Sequence, residues 1–183
     1  MREELSDNFV TLRRYGGEED APLLYEAVRE SIPEISRWLP WCHPGYSIEE
    51  SREWLAARPS AWEAGTEYAF RIEDARTGQF LGGVGLSQIK PKTKFANLGY
   101  WVRTSQAGRG VATAATLLTA RFGFEELGLE RIQILAAKDN LASQRVAAKA
   151  GALREGVLRR SLLVGGRLDD SVLFSLIRED LSL

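Results

Sequence analysis

Residues 98–118 read LGYWVRTSQAGRGVATAATLL, and this stretch decides how the rest of the chain is interpreted. It begins as an aromatic and β-branched run, is interrupted at Gly108–Gly110, and continues in residues that favour helix. This order predicts a strand, a tight turn and a helix. Between Val102 and Phe124 there are three arginines and no acidic residue, although Asp and Glu are favoured where a helix begins, because its free N–H groups carry partial positive charge. The pattern indicates a helix N-terminus that binds an anion.

The glycine turn has three interpretations. A strand-to-helix connection without a ligand is the first, because glycines occur in many turns. A nucleotide loop is the second, but a Walker loop requires Gly-Lys-Ser/Thr and a dinucleotide fingerprint requires Gly-x-Gly-x-x-Gly, whereas Thr113 stands three residues beyond Gly110. The third is a pyrophosphate cradle, in which glycines let a phosphate approach the backbone donors and Arg109 adds a full positive charge.

Composition limits the function classes. The chain has 183 residues, 44% of them hydrophobic and 27% charged, which suits one globular domain over residues 1–183. Its net charge of −1 argues against general binding to nucleic acid or to anionic membranes. We expect a cytoplasmic protein, because neither a signal peptide nor a membrane-spanning segment is recognisable. The single cysteine, Cys42, and the single histidine, His43, exclude an internal disulfide and leave too few soft ligands for a zinc site.

The remaining segments show strand and helix patterns that together predict seven strands and about four helices. In chain order these are a strand at 9–15, helices that begin near 20 and at 47, strands at 67–73, 80–90 and 95–102, a helix at 111–127, a strand at 131–137, a helix at 140–150, and strands at 156–164 and 167–177. Three prolines are expected to break segment 32–44. We expect strands 95–102 and 131–137 to be parallel neighbours whose following helices begin at one edge, where ligands collect.

The glycine turn resembles the Gln/Arg-x-x-Gly-x-Gly/Ala signature of the GNAT superfamily of N-acetyltransferases at Gly110 and Ala112 and differs from it at Ala107. Segments 96–102 and 138–146 resemble the RimJ/RimL branch, whose members acetylate protein N-termini. The resemblance covers nearly the whole chain. It implies the GNAT fold, an α/β (α+β) arrangement with a mixed, mostly antiparallel seven-stranded sheet flanked by about four helices. It also implies acetyl-CoA as co-substrate, no metal, and a homodimer, since such domains frequently pair.

The resemblance assigns the coenzyme A site to the open strand, the glycine turn and the last helix. Strand backbone would supply donors for the pantetheine arm, with ordinary pairing to the next strand as the alternative. Asn140 is also an excellent N-cap, and both roles are compatible. The expected cofactor contacts are Tyr100, Trp101, Val102, Ala107, Gly108, Arg109, Gly110, Val111, Ala112, Asn140 and Ser143.

Acetyl transfer requires a neutral amine, a polarised thioester carbonyl and a stabilised thiolate. Many members of the superfamily use a tyrosine where this chain has Ala147, whereas the RimJ/RimL branch has a serine at the position of Ser143. We therefore expect Ser143 to donate to the leaving sulfur, with an inert serine as the alternative. Relatives often carry Glu at the position of Asn97, but an amide cannot accept a proton. A water chain or another carboxylate must then serve, and Asp170 is the candidate, although it could equally bind a loop backbone.

The acceptor wall is expected in segment 32–44, because the family shapes its substrate groove with its first two helices. Trp38, Trp41 and His43 are the candidate substrate-binding residues, with tryptophans that fill the core as the alternative. His43 could also supply a base. Without an evident strong base, the acceptor is expected to be an α-amine, most readily a protein or peptide N-terminus.

Two alternatives to this function remain. One is acetylation of a small cationic amine, such as an aminoglycoside or polyamine, attracted by the glutamates Glu34, Glu49, Glu50 and Glu53. The other is a non-catalytic acyl-CoA-binding regulator, because Asn97, Ala107 and Ala147 depart from the commoner patterns.

Overall fold

The computed structural model describes residues 1–181, which form a single eight-stranded sheet in the order β1-β2-β3-β4-β5-β6-β8-β7 with helices on both faces. The strands are β1 Glu4–Ser6, β2 Val10–Arg14, β3 Tyr68–Asp74, β4 Phe80–Lys90, β5 Phe95–Val102, β6 Arg131–Ala137, β7 Leu153–Val164 and β8 Arg167–Leu176. The helices are α1 Ala21–Ile35, α2 Ile48–Ala56, α3 Arg58–Glu63, α4 Val111–Glu125 and α5 Leu141–Lys149. All neighbouring strands are antiparallel except β5 and β6, which are parallel.

This architecture confirms the predicted mixed, mostly antiparallel fold and adds one strand to the seven predicted. The additional strand is β1, which pairs with β2 at the sheet edge. It has three residues, of which Leu5 alone is buried, so it is too short to show an alternating pattern. The last two predicted strands form a hairpin, with Gly165 and Gly166 at φ +54° and +77°, as a two-residue primed turn requires.

Two helix predictions need correction. Helix α1 is not broken at Pro33 and continues to Ile35. Its last turn is closed by a hydrogen bond from the Ser36 amide to the Ile32 carbonyl at 3.1 Å. The helix predicted from residue 47 divides at Ala57 into α2 and α3, since Pro59 favours the first turn of a new helix.

The two faces of the sheet carry separate hydrophobic clusters, and β5 contributes to both. Leu98 and Tyr100 lie on the face covered by α4 and α5, whereas Trp101 packs with α1 and α2 on the opposite face. This alternation follows from the two-residue period of a strand. Neighbouring residues of β5 therefore face two different sites.

Strands β5 and β6 separate after three paired positions. Phe95–Asn97 pairs with Arg131–Gln133, but β5 then follows β4 to Val102 while β6 follows β8 to Ala137. In the described part of the chain the edge of β5 from residue 98 onward thus has no strand partner on the β6 side. The ordinary pairing considered as an alternative is wrong for this segment.

None of the helices in residues 1–181 has both the length and the apolar character needed to cross a bilayer.

Candidate active site

A cavity of about 550 Å³ occupies the opening between β5 and β6. The starts of α4 and α5 both border it, through Val111 and Asn140, as predicted from the parallel pair. Every residue expected to contact the cofactor lines this cavity except Arg109. Trp38, which was assigned to the acceptor wall, also lies here. We refer to this space as the cofactor cavity.

The glycine turn presents backbone donors to the cofactor cavity. Gly108 and Gly110 have φ values of +75° and +89°, a left-handed conformation that side chains other than glycine adopt only with strain. Gly110 is the N-cap of α4, whose first turn contains no acidic residue. A Cβ at Gly108 would meet no heavy atom within 4 Å. The turn is therefore open to a phosphate group, and the free first-turn amides of α4 would favour its charge.

Arg103 does not contribute to this anion site, although the sequence suggested a cluster of three arginines. Its guanidinium is buried, and it donates to Glu30 Oε2 at 2.9 Å, to Glu26 Oε1 at 2.6 Å and to the Phe80 carbonyl at 3.2 Å. The hydrogen bonds from Arg103 lower the pKa of Glu30 to about 2. Arg103 instead fastens the end of β5 to α1. Arg109 has no acidic partner within residues 1–181, so its charge is available to a ligand.

Ser143 lies in the cofactor cavity at the start of α5. Asn140 accepts a hydrogen bond from the Ser143 amide at 3.0 Å, which confirms Asn140 as the N-cap. The Tyr100 hydroxyl lies 3.0 Å from Ser143 Oγ and donates to the Ser143 carbonyl at 2.9 Å. Burial raises the pKa of Tyr100 to about 12, so both hydroxyls are protonated at neutral pH. Sequence reasoning assigned Tyr100 through its backbone and missed the hydroxyl, which strand alternation places toward α5.

A second cavity, of about 850 Å³, lies against the opposite face of the sheet. Three glycines of β4 and β5 contribute to its floor, with Gly85 paired with Gly99 and Gly83 paired with Trp101. A Cβ at Gly99 would meet nothing within 4 Å. The two cavities share Tyr100 and Trp101 in their walls. We call this second space the acceptor cavity.

Aromatic rings form much of the acceptor-cavity wall. They belong to Tyr15, Trp41, Tyr46, Trp54, Phe70, Tyr100 and Trp101. The rings of Trp41 and Trp101 meet edge to face with centroids 5.9 Å apart. Segment 36–47 thus brings Trp41 to the wall at the point where the two cavities adjoin.

Three carboxylates also line the acceptor cavity. Glu67 forms an ion pair with Arg58 at 2.6 Å, and Glu50 Oε1 lies 2.8 Å from His43 Nε2. The His43 hydrogen bond lowers the pKa of Glu50. Glu53 has no ion-pair partner in the described residues, so the cavity carries an excess of negative charge that would attract a cationic amine.

Two of the three predicted catalytic residues lie outside the linings of both cavities. Asn97 stands opposite Ser87 on β4 and Gln133 on β6, and its buried Oδ1 has no hydrogen-bond donor within residues 1–181. Asp170 accepts a hydrogen bond from the Arg160 amide at 3.1 Å and lies 3.8 Å from Lys138 Nζ. These contacts fasten the irregular part of β7. The structure therefore brings Ser143, but neither Asn97 nor Asp170, to a cavity wall.

Cys42 is buried, and burial raises its pKa to about 11. It is therefore a neutral thiol at physiological pH and a poor nucleophile. Within residues 1–181 no three His, Cys, Asp or Glu side chains are grouped so that they could hold a metal ion.

Comparison with known proteins identifies the family. The acetyltransferase (GNAT) domain family matches residues 10–153. The ribosomal-protein-serine acetyltransferase of Escherichia coli is 25% identical over 154 residues, which cover 84% of this chain and 85% of that protein. The structure of Mycobacterium smegmatis RimJ in complex with a coenzyme A disulfide has a TM-score of 0.86 at 26% identity, over 95% of this chain and 84% of that one.

A complex of RimL, the ribosomal L7/L12 α-N-protein acetyltransferase, with coenzyme A has the same fold, with a TM-score of 0.87 at 22% identity over 96% and 98% of the two chains. The matched region contains β5, which lines both cavities, together with the glycine turn and α5. The chain therefore belongs to the GNAT acetyltransferases, as a RimJ/RimL-like N-acetyltransferase that uses acetyl-CoA as its co-substrate.

Proposed function

We propose that this enzyme acetylates the N-terminal α-amine of a protein or peptide. The observation that carries the proposal is the acceptor cavity, which is open to solvent, adjoins the cofactor cavity at Trp101 and has acidic groups in its wall. An extended chain terminus could enter such a space with its ammonium group leading. The names of the E. coli and M. smegmatis relatives, which refer to ribosomal-protein acetylation and to RimJ, point the same way.

The cost of deprotonating the amine also favours this acceptor. At pH 7, deprotonating an α-amine with a pKa near 8.0 costs about 1.4 kcal/mol, whereas deprotonating a lysine with a pKa near 10.4 costs about 4.6 kcal/mol. Glu50, a carboxylate in the wall of the acceptor cavity, has a lowered pKa and is therefore a weak base. A site of this kind suits an amine that gives up its proton readily.

The chain's own residues supply the remaining chemistry. Acetyl-CoA, when bound, brings an activated acetyl thioester. The first-turn amides of α4 and Arg109 would hold its pyrophosphate. Ser143 would donate a hydrogen bond to the departing sulfur and so stabilise its negative charge, with the Tyr100 hydroxyl bound to Ser143 from behind. Because Asn97 and Asp170 lie away from the cavity walls, we propose that ordered water accepts the amine proton. We also propose direct attack in a ternary complex, a cytoplasmic location and a homodimer, which the family resemblance supports.

A pair of matched peptides tests the acceptor class. A short peptide with a free N-terminus and no lysine is expected to be turned over at least 100-fold faster than its N-terminally blocked twin that contains one lysine, because the two amines differ by about 3 kcal/mol in deprotonation cost. Thiol release from acetyl-CoA measures the rate, and mass spectrometry locates the acetyl group. Preference for the blocked twin contradicts the proposal. Turnover of polyamines or aminoglycosides alone would favour the small-amine alternative, and binding without release for every amine would favour the regulator.

Glu53 is expected to attract the cationic acceptor. Replacing Glu53 by Gln should lower kcat/KM for a peptide about threefold at low salt, with a smaller effect at high salt, because the charge is exposed and screened. Glu49→Gln is the matched control, since Glu49 is on the same helix but forms an ion pair with Arg52 and does not line the cavity. Equal rates for the two variants at every salt concentration would remove Glu53 from acceptor attraction.

A further inference from the structure

Two polar groups at the floor of the acceptor cavity lie close together, against Gly83. A Cβ built on Gly83 would lie 3.0 Å from the Tyr15 hydroxyl oxygen and 2.8 Å from Trp101 Nε1. Any side chain at position 83 would therefore crowd both groups, and only glycine lets them pack directly against the sheet. All three residues line the acceptor cavity, so a molecule bound there can reach both groups.

Neither group has a hydrogen-bond partner among residues 1–181. Tyr15 is only 2% exposed, and buried polar groups are nearly always paired in folded proteins. The other tyrosine hydroxyls in the cavity walls follow that rule, because Tyr46 accepts a bond from Ser51 at 2.9 Å and Tyr100 binds Ser143. In this wall the Tyr15 hydroxyl and the N–H of the half-buried Trp101 indole thus have no partner within the described chain and are left to bind a molecule in the cavity.

The rings that carry these groups are held in place by packing. Tyr15 meets Trp54 edge to face with centroids 5.1 Å apart. Trp101 lies between Trp41 and Phe80, at centroid distances of 5.9 and 6.0 Å. Burial raises the pKa of Tyr15, so its hydroxyl keeps its proton. The structure thus maintains two fixed, neutral donors beside Gly83.

We propose that the Tyr15 hydroxyl and the Trp101 indole N–H bind the first carbonyl oxygen of the acceptor, the one next to the reacting α-amine. An indole N–H can only donate, so its partner must be an acceptor, and a carbonyl oxygen has two lone pairs for two donors. A linear polyamine offers only ammonium groups, which cannot accept a bond from Trp101. The inference rests on the proposed function and specifies how that site distinguishes a peptide from a simple amine.

The position of Trp101 fits this role. It belongs to the segment of β5 that has no partner on the β6 side, and it lines both cavities. A carbonyl bound beside Gly83 would keep the attached amine close to the boundary between the acceptor and the thioester. Tyr15 and Trp101 would then orient the amine for attack.

The test compares two acceptors on two enzymes. The acceptors are a short peptide and its analogue in which the first carbonyl is replaced by a methylene. Tyr15→Phe is expected to lower kcat/KM for the peptide about fivefold to tenfold, the usual worth of one hydrogen bond, and to change the rate for the analogue less than twofold. Removing the carbonyl also changes the pKa of the amine. This change is the same for the wild type and for Tyr15→Phe, so it cancels when the ratio of the rates for the two acceptors is compared between the two enzymes.

Tyr68→Phe is the matched control. Tyr68 is a buried tyrosine of β3 that lines neither cavity, so loss of its hydroxyl should leave the ratio of the two acceptors unchanged. Gly83→Ala is a second variant, whose methyl group would crowd and displace both donors and should also abolish the preference for the carbonyl. Titration with coenzyme A checks that every variant keeps its cofactor cavity.

The outcomes separate the inference from the proposed function. Peptide turnover with an equal loss on both acceptors in Tyr15→Phe would overturn the carbonyl site and leave N-terminal acetylation standing. Failure of the wild-type enzyme to acetylate any peptide, with turnover of simple amines, would overturn both. A loss confined to the carbonyl-bearing acceptor, in Tyr15→Phe and not in Tyr68→Phe, supports the inference.

Discussion

Replacing Gly108 by valine is expected to weaken coenzyme A binding about 100-fold while the protein stays folded. Gly108 has φ +75° and lines the cofactor cavity. A β-branched residue in this conformation costs about 1–2 kcal/mol, so the turn would relax and displace the amides beside it. Loss of two charge-assisted hydrogen bonds to a phosphate, at about 1.5 kcal/mol each, gives the expected decrease. Calorimetric titration with coenzyme A measures it.

Gly128→Val provides the control for backbone strain. Gly128 follows α4 at its other end, with φ +61°, and a Cβ there, as at Gly108, would meet nothing within 4 Å. Both variants should therefore lose a similar 1–2 kcal/mol in the free energy of unfolding, measured with urea. Only Gly108→Val should lose affinity for coenzyme A. Equal affinities in the two variants would show that the glycine turn does not hold the cofactor.

The sequence was sufficient to predict the cofactor cavity because local chemistry determines it. The order of strand, glycines and helix from residue 98 to residue 118 requires one backbone path, and a second strand and helix from residue 131 to residue 149 repeat it. Two parallel strands with helix starts at one edge then produce a ligand site. The N-cap at Asn140 is likewise a local feature. These elements could be predicted without knowing their neighbours.

The parts that could not be predicted depend on residues distant in sequence. Arg103 pairs with Glu26 and Glu30, more than 70 positions away, and no local pattern distinguishes it from Arg109. The meeting of Tyr15 with Trp101 above Gly83 depends on the pairing of β2, β3, β4 and β5. The strand register was needed to show that Gly83 lies beneath both side chains.

Arg103→Met is expected to lower the free energy of unfolding by about 2–3 kcal/mol at pH 7. The guanidinium is 8% exposed and binds Glu26, Glu30 and the Phe80 carbonyl. Removing one member of a buried ion pair costs about 3–5 kcal/mol, but the side chains of Glu26 and Glu30 are 61% and 29% exposed and can be partly rehydrated. Urea unfolding measures the loss. Affinity for coenzyme A should change little, because the Arg103 guanidinium is already bound by Glu26, Glu30 and the Phe80 carbonyl.

The dependence on pH distinguishes this ion pair from general loss of packing. Arg103 lowers the pKa of Glu30 from 4.5 to about 2 in the folded protein. The resulting stabilisation is complete above pH 4.5 and is lost as the pH falls toward 2. The stability difference between wild type and Arg103→Met should therefore shrink below pH 4.5. Arg109→Met is the opposite case, because it should preserve stability and lower coenzyme A affinity. A constant difference from pH 7 to pH 3 would mean that Arg103 acts through packing and not through its charge.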